Sequence, residues 1–147
     1  MTSKNIYLVG SLKHEYPKTI AEKLRADGHK VFDDYHAAGP DADMYWQRYY
    51  EERGFAYADA LTQPFPQQAF DFDVKHLKRA DWAVAVCKSF KLPGISSIAE
   101  LSFMRWGLGK RTAILLDGDP EHWELMIPLV TPSICHTYEQ LLEKING

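Results

Sequence analysis

Two carboxylates in the sequence could perform covalent chemistry, Glu100 and Asp73. Glu100 follows the loop of residues 92–97, and we expect it in the first turn of a helix, where the helix N-terminus keeps a carboxylate ionised and oriented. Such a carboxylate is what attack on an electrophilic sugar carbon needs. Asp73 would act as proton donor or orienting group, since glycosidic chemistry uses paired carboxylates. The structural alternative for Glu100 is a capping box with Ser97.

Asp73 has local competitors for this second role. Asp71 lies two residues away, and spacing alone does not choose between them. Asp81 introduces an apolar strand and is typical of a turn or cap residue. Asp73 is harder to dismiss than Asp81, because its helix could direct it towards the carboxyl edge of the expected sheet, and the choice between Asp73 and Asp71 stays open at this point.

A turn after the first apolar run could hold a phosphate. Gly10, Ser11 and Lys13 would supply backbone N–H groups, a hydroxyl and an ammonium. Ser96 and Ser97 are similarly ambiguous between helix capping and phosphate binding. By itself, a turn with a solvated lysine is the simpler interpretation of the first motif.

Residues 44–50 are dense in aromatic side chains. Tyr45 and Tyr49 are spaced i, i+4, as are Trp46 and Tyr50, so two faces of one helix are aromatic. A nucleobase stacks well on such rings. The alternative is an interface or lid helix.

The elements that must position these residues alternate between strand and helix. Residues 6–10 and 29–32 read as strands around a helix at 17–27, a βαβ unit that favours a parallel sheet. Further strands are expected at 82–86, 112–116 and 133–135, and further helices at 44–60, 70–79, 97–108, 120–126 and 138–144, with residues 63–66 as a proline-marked break. The expected fold class is α/β, a flavodoxin- or Rossmann-like three-layer sandwich with a mostly parallel five-stranded sheet, in one domain over residues 1–147.

Ligands of such sheets bind beyond the carboxyl ends of the strands. That rule selects four polar stretches, residues 10–13, 33–35, 88–97 and 117–119. Asp34 is thereby a candidate binding residue, although Asp33 and Asp34 could equally be turn-formers.

Composition limits the partners and the compartment. With 17 basic and 20 acidic side chains, the net charge of −3 gives no field to hold a nucleic acid backbone. Cys87 and Cys135 have neither a disulfide-framework nor a metal-ligand spacing, the six histidines are scattered, and Cys87 is expected to be a buried thiol. No stretch approaches the roughly 20 apolar residues of a membrane span, and the start runs straight into a strand. We therefore expect a cytoplasmic protein with no membrane or nucleic acid partner.

These features together resemble the nucleoside 2-deoxyribosyltransferase family and the related deoxynucleoside 5′-monophosphate N-glycosidases. The resemblance covers about residues 4–116. The opening strand looks like the family's, whose tyrosine, here Tyr7, lies at the active site. Asp73, eight residues before Asp81, matches the catalytic aspartate. Ala99-Glu100-Leu101, followed by residues 107–110 and an apolar strand, matches the segment with the nucleophilic glutamate.

The resemblance has one departure and several implications. Gly94 stands where the transferases usually carry an aspartate that contacts base or sugar, and Ser11 and Lys13 look more like the monophosphate glycosidases, which hold a 5′-phosphate. Base exchange on a deoxynucleoside and hydrolysis of a monophosphate both remain open. Either implies a covalent glycosyl-glutamate intermediate, no metal or organic cofactor, and a homodimer or higher homo-oligomer whose subunits share residues. A non-catalytic nucleotide-binding module and an NAD-cleaving enzyme of the TIR type are the alternatives.

Overall fold

A five-stranded parallel sheet forms the centre of the computed structural model, which describes residues 2–10, 16–33, 41–87 and 90–147. The strand order is β2-β1-β3-β4-β5, and every pairing is parallel. The strands are β1 (Asn5–Val9), β2 (Lys30–Asp33), β3 (Trp82–Cys87), β4 (Arg111–Leu116) and β5 (Ile134–Cys135). The order reverses between β1 and β3, which is the point where open α/β sheets bind ligands.

Helices cover both faces of this sheet, as the three-layer α/β prediction requires. They are α1 (Tyr16–Ala26), α2 (Ala42–Glu52), α3 (Tyr57–Ala60), α4 (Pro64–Arg79), α5 (Ile95–Ser102) and α6 (Tyr138–Asn146). A π-helical turn, Phe103–Gly107, continues α5, and a 3₁₀ turn occupies Ile127–Leu129. The fold class expected from the sequence is confirmed.

Alternating side chains of the strands build two cores. In β1, Ile6 and Leu8 pack with the buried residues of α1 and α6 on one face, whereas Tyr7 and Val9 pack on the opposite face with α4 and α5. Both faces of β1 are apolar because a central parallel strand is covered on each side. The side chains of β1 that project from the same face as Tyr7 therefore lie beneath α4 and α5.

Three of the expected helices differ in the structure. The aromatic helix expected at 44–60 is two helices, α2 and α3, separated where Gly54 adopts φ +78°. The helix expected at 70–79 begins at Pro64, because a proline in the first turn lacks only an N–H that no helix would use. No helix forms at 120–126, where the chain makes turns before the 3₁₀ segment. Among the residues described, no helix is long and apolar enough to cross a membrane.

Candidate active site

Tyr7 lies in the middle of β1 and is completely buried. Its strand neighbours are Phe32 on β2 and Ala83 on β3. The ring of Tyr7 stacks on that of Phe32 with centroids 5.1 Å apart, and the Tyr7 hydroxyl oxygen is shielded from solvent. Ala83 and Ala85 project short side chains into the same core. The phenol is thus held rigidly under the α4–α5 layer, at the reversal point of the sheet.

Asp73 is half-buried on α4, four residues before Leu77. Residues at this spacing share a helix face, and Leu77 packs in the same core as Tyr7, so Asp73 lies on the sheet-facing side of α4. Asp71 is exposed beside Lys75 and Lys78. The orientation of α4 therefore favours Asp73 over Asp71.

Asp81 has a structural role instead. Its Oδ2 accepts a hydrogen bond from the backbone N–H of Asn5 at 2.8 Å, and its own N–H donates to the Asn5 carbonyl at 2.7 Å. These two bonds join the beginnings of β1 and β3. Asp81 is thus a tether at the amino edge of the sheet, as its position before an apolar strand indicated.

Glu100 lies on α5 and is half-buried, with its Oε2 shielded from solvent. Leu101, the next residue, and Met104, four residues on, are fully buried in the core that contains Tyr7. Since residues four apart share a helix face, Glu100 lies on the sheet-facing side of α5. Tyr7 therefore lies on the face of the sheet that α4 and α5 cover, and Asp73 and Glu100 lie on the sheet-facing sides of those two helices.

The position of Glu100 within its helix differs from the expectation. Gly94, with extended φ −72° and ψ 178°, is the N-cap, and the helix begins at Ile95 rather than near Ser97. Glu100 accordingly stands in the second turn, and no acidic residue occupies the first. The prediction that the helix N-terminus stabilises the ionised Glu100 carboxylate is wrong, because that effect falls off within the first turn. A capping box with Ser97 is excluded by the same start point.

A cavity of about 170 Å³ opens where β1 and β3 end, next to this face. It brings together Gly10, Gly94 and Ser97, three of the residues predicted to bind substrate, and adds Lys91. Its other lining residues are Pro17, Ala85, Val86, Cys87, Leu92 and Pro93. Gly10 is required here, since a Cβ would meet the Pro17 side chain at 2.6 Å. The backbone of Gly10, the hydroxyl of Ser97 and the ammonium of Lys91 are groups that can bind a phosphate.

Lys91 is the residue that sequence reasoning did not single out. It lies within the polar loop of residues 88–97, but nothing in the local pattern separates it from other solvated lysines. The preceding residue, Phe90, has a positive φ of 60° and donates its N–H to the Asp117 carbonyl. A Cβ on Gly118 would meet the Phe90 ring at 2.1 Å, so the loops after β3 and β4 are packed tightly together. That contact sets the course of the chain into Lys91.

Cys87 lines the same cavity, but its thiol is unreactive. Burial raises the pKa of the Cys87 thiol to about 12. The thiol therefore stays protonated near neutral pH and cannot compete with a carboxylate as nucleophile. The pKa of the nearby Tyr16 is also raised, chiefly by burial and then by the charges of Asp117 and Cys87.

The remaining predicted residues lie elsewhere. Tyr45 is 74% exposed on α2 and Tyr49 is exposed beside it, with the Arg53 guanidinium 3.4 Å from its ring centre. Neither lines the cavity, and Ser96 is exposed on α5. Ser11, Lys13 and Asp34 fall outside the residues that the structure describes. Within the described ranges, no cluster of three or more His, Cys, Asp or Glu side chains could hold a metal ion.

Two solved structures share this fold over almost the whole chain. One is the CMP N-glycosidase BcmB of Clostridium botulinum, 18% identical, aligned over 97% of this chain and 98% of its own with a TM-score of 0.54. The other is a conserved protein from Enterococcus faecalis V583, 13% identical, aligned over 99% and 98% with a TM-score of 0.66. No protein-family model and no curated protein sequence matches the chain. At these identities the likeness establishes the shared fold alone.

Proposed function

We propose that this protein cleaves the N-glycosidic bond of a nucleoside 5′-monophosphate, with Glu100 as nucleophile. The observation that carries the proposal is one juxtaposition at the sheet's reversal point. Tyr7 belongs to the core beneath α4 and α5, the helices that carry Asp73 and Glu100. Ala85 and Cys87 of this core also line the cavity that contains Lys91 and Ser97. The Glu100 carboxylate would attack the anomeric carbon, and the cavity would bind the 5′-phosphate of the same substrate. The shared fold with a CMP N-glycosidase supports this choice.

The proposed chemistry has two displacements. A Glu100 carboxylate oxygen forms a bond to C1′ while the C1′–N bond breaks, and the base leaves with a proton supplied by Asp73 or by solvent. Water then attacks C1′, the ester C–O bond breaks, and Glu100 is regenerated together with the sugar 5-phosphate. Both steps pass through oxocarbenium-like transition states, so the configuration at C1′ is retained. The buried Tyr7 hydroxyl would position the nucleophile.

The phosphate end would be held by fixed groups. Lys91, Ser97 and Gly10 line the cavity, and we propose Ser11 and Lys13, which follow Gly10 in the sequence, as further ligands. Hydrogen bonds to an ionised phosphate are roughly twice as strong as those between neutral partners, and the Lys91 ammonium adds the attraction of opposite charges. A nucleoside without the phosphate would lose these contacts, which favours hydrolysis of a monophosphate over reaction of a plain deoxynucleoside.

The base end would be completed by a second subunit. Tyr45 and Tyr49 do not line the cavity of their own subunit, and both are exposed. In a homodimer formed through α2–α4, these rings could stack on the base bound to the partner. We therefore propose a homo-oligomer, with Asp34, Gly94 and Ser96 near the sugar and base.

Chromatographic release of free base from nucleoside and deoxynucleoside 5′-monophosphates tests the proposal. We expect turnover by the wild type and a loss of at least about 10³-fold in Glu100→Gln, since the amide is a poor nucleophile. Glu124→Gln, a change of the same kind at an exposed site, should retain full activity. Adding a different free base separates the alternatives, because a new nucleoside or nucleotide would indicate base exchange. Full activity of Glu100→Gln would refute the proposed nucleophile.

A further inference from the structure

A groove rich in basic side chains lies at the β5 edge of the sheet, away from the candidate active site at the ends of β1 and β3. It has a volume of about 1040 Å³ and runs along β5 and the beginning of β4. Among the described residues that line it, four are Lys or Arg and one is acidic: Arg105, Lys110, Arg111 and Lys144 against Glu143. The chain as a whole has 17 basic and 20 acidic side chains, so this imbalance is local.

Two of the four cations are held in place by the backbone. The Lys110 ammonium donates to the carbonyls of Lys78 and Ala80, at 2.7 Å for Ala80. The Arg105 guanidinium donates to the Pro128 carbonyl and has donors to spare. These acceptors are carbonyls and not carboxylates, so neither cation has a full counter-charge. The acceptors of Lys110 lie at the C-terminal end of α4, which offsets part of its charge.

The other two cations lie on separate elements that meet at the groove. Arg111, the exposed first residue of β4, has its guanidinium 5.7 Å from the ring centre of the buried Trp82. Lys144 lies in the last turn of α6, where its charge acts on the Cys135 thiol of β5. In the part of the chain that the structure describes, none of the four cations forms a salt bridge with a carboxylate.

Four unneutralised cations in one groove repel each other, which costs stability unless a ligand compensates. Ser133 and Gln140 line the groove and add neutral donors. His136 also lines it, and its Nδ1 donates to the Leu116 carbonyl. The volume is at the upper end for small-molecule sites, about 300–1,000 Å³. A single phosphate would use only part of this set, whereas a chain of phosphates would span it.

We propose that this groove is a second ligand site, which binds an oligophosphate, either free or as the tail of a nucleotide. The site is separate from the candidate active site, because Trp82 and Arg111 are the first residues of their strands and the catalytic cavity lies at the carboxyl ends. The proposal stands independently of the enzymatic activity.

Isothermal calorimetry with inorganic triphosphate on the intact protein tests this site. We expect saturable binding that weakens as salt rises, and at least roughly tenfold weaker binding by Arg111→Glu/Lys144→Glu, since each reversal replaces attraction by repulsion. Both residues are exposed and the reversal relieves repulsion between like charges, so the variant without ligand should melt at or above the temperature of the wild type. Lys30→Glu is the matched control, because Lys30 is the exposed first residue of β2 as Arg111 is of β4.

Two further arms make the result decisive. Lys91→Ala should bind triphosphate as the wild type does, which separates the groove from the catalytic cavity. A nucleoside triphosphate that binds no tighter than inorganic triphosphate indicates recognition of the phosphates alone, and tighter binding indicates that the groove also holds the nucleoside. Unchanged triphosphate affinity in the double charge reversal would overturn the proposal, as would binding of an oligonucleotide with no binding of triphosphate.

Discussion

The rings of Tyr7 and Phe32 stack with centroids 5.1 Å apart and planes inclined by 28°. Phe32 also stacks on the His76 imidazole at 4.0 Å and contacts Phe72 edge-on at 5.5 Å. Phe72 and His76 lie on α4 on either side of Asp73 in sequence. Phe32 therefore joins the buried tyrosine of β1 to the helix that carries the second candidate carboxylate.

We predict that Phe32→Leu loosens this connection without unfolding the protein. The apolar volume is largely kept, but the ring contacts, worth about 0.5–1.5 kcal/mol beyond area burial, are lost. The free energy of unfolding should fall by about 1 kcal/mol, and kcat should fall more than KM rises. Urea denaturation and steady-state kinetics measure both. Trp123→Leu, an aromatic-to-leucine change at a site that is 89% exposed and lies outside residues 44–72, should alter neither quantity. Equal effects of the two changes would refute the proposed link.

Lys91→Ala should separate substrate recognition from chemistry. Removing a charged hydrogen-bond donor to a phosphate costs about 1.5–3 kcal/mol, which corresponds to roughly 10–150-fold in affinity. We expect KM for a nucleoside 5′-monophosphate to rise by that factor while the slow reaction of the unphosphorylated nucleoside stays unchanged. Lys30→Ala is the control for general loss of positive charge. A similar loss with both substrates would place Lys91 outside the phosphate site.

Gly118 provides a test of the loop that presents Lys91. Gly118 and Gly54 share φ +78°, but a Cβ on Gly118 would meet the Phe90 ring, whereas nothing lies within 4 Å of one on Gly54. Both alanine variants should lose about 1–2 kcal/mol from backbone strain. Gly118→Ala should lose further stability through the clash with the Phe90 ring, and it alone should raise KM for the monophosphate, because Phe90 must move.

The double variant Gly118→Ala/Phe90→Ala completes this comparison. Removing the ring restores the space that the new methyl group needs, so part of the stability lost to the clash should return. Thermal melting of the four proteins, including wild type and Gly54→Ala, gives the comparison. If Gly54→Ala and Gly118→Ala behave alike in stability and in KM, the Phe90 contact does not position the loop.

The buried thiol at Cys87 predicts a dependence of stability on alkaline pH. Its folded-state pKa of about 12 lies above that of an exposed thiol, so the folded state retains a proton that the unfolded state releases. This contribution is fully present below the pKa of the unfolded thiol, about 8.5, and is lost as pH rises towards 12. Cys87→Ala should flatten the decline in unfolding free energy over that window, measured by urea denaturation. An unchanged slope would contradict the burial of this thiol.

The sheet and its order of elements could be predicted from the sequence because continuous apolar runs define buried parallel strands. β3 and β4 are each one residue longer than their predicted ranges, and β1 is shifted by one residue towards the N-terminus. Helix beginnings were harder to predict: prolines at 64 and 66 were interpreted as a break, yet they occupy the first turn of α4. Proline both starts and stops helices, and only the packing of Leu77 and its neighbours decides which.

The sequence predicts which residues of the candidate site could do chemistry, but it does not predict their positions within helices or the cavity that they adjoin. Chemistry and resemblance single out Glu100 and Asp73, and in the structure both are half-buried on the helices that cover the Tyr7 face of the sheet. The reason offered for Glu100, a first-turn position, was wrong because Gly94 starts the helix earlier. Lys91 has no periodic or motif signal at all. Its place in the cavity depends on how the ends of β1 and β3 meet, which is a tertiary property.

The exposed aromatic side chains of residues 44–72 favour self-association. Six of them, on α2, α3 and α4, expose between 44% and 74% of their area: Tyr45, Tyr49, Tyr57, Phe65, Phe70 and Phe72. At roughly 200 Å² per ring this amounts to about 700 Å² of aromatic surface, close to the 800 Å² or so that one partner buries in a standard interface. Apolar surface of this extent is typical of protein–protein interaction sites where it is contiguous.

We predict that Phe70→Glu shifts the protein from dimer towards monomer and lowers activity in parallel. A buried, unpaired carboxylate at the interface costs several kcal/mol, and a site shared between subunits would lose its base-stacking rings. Sedimentation equilibrium measures the first effect and base release at several protein concentrations the second. Trp123→Glu is the control, since Trp123 is 89% exposed outside this segment. Dissociation by Trp123→Glu but not by Phe70→Glu would assign the interface to the other surface.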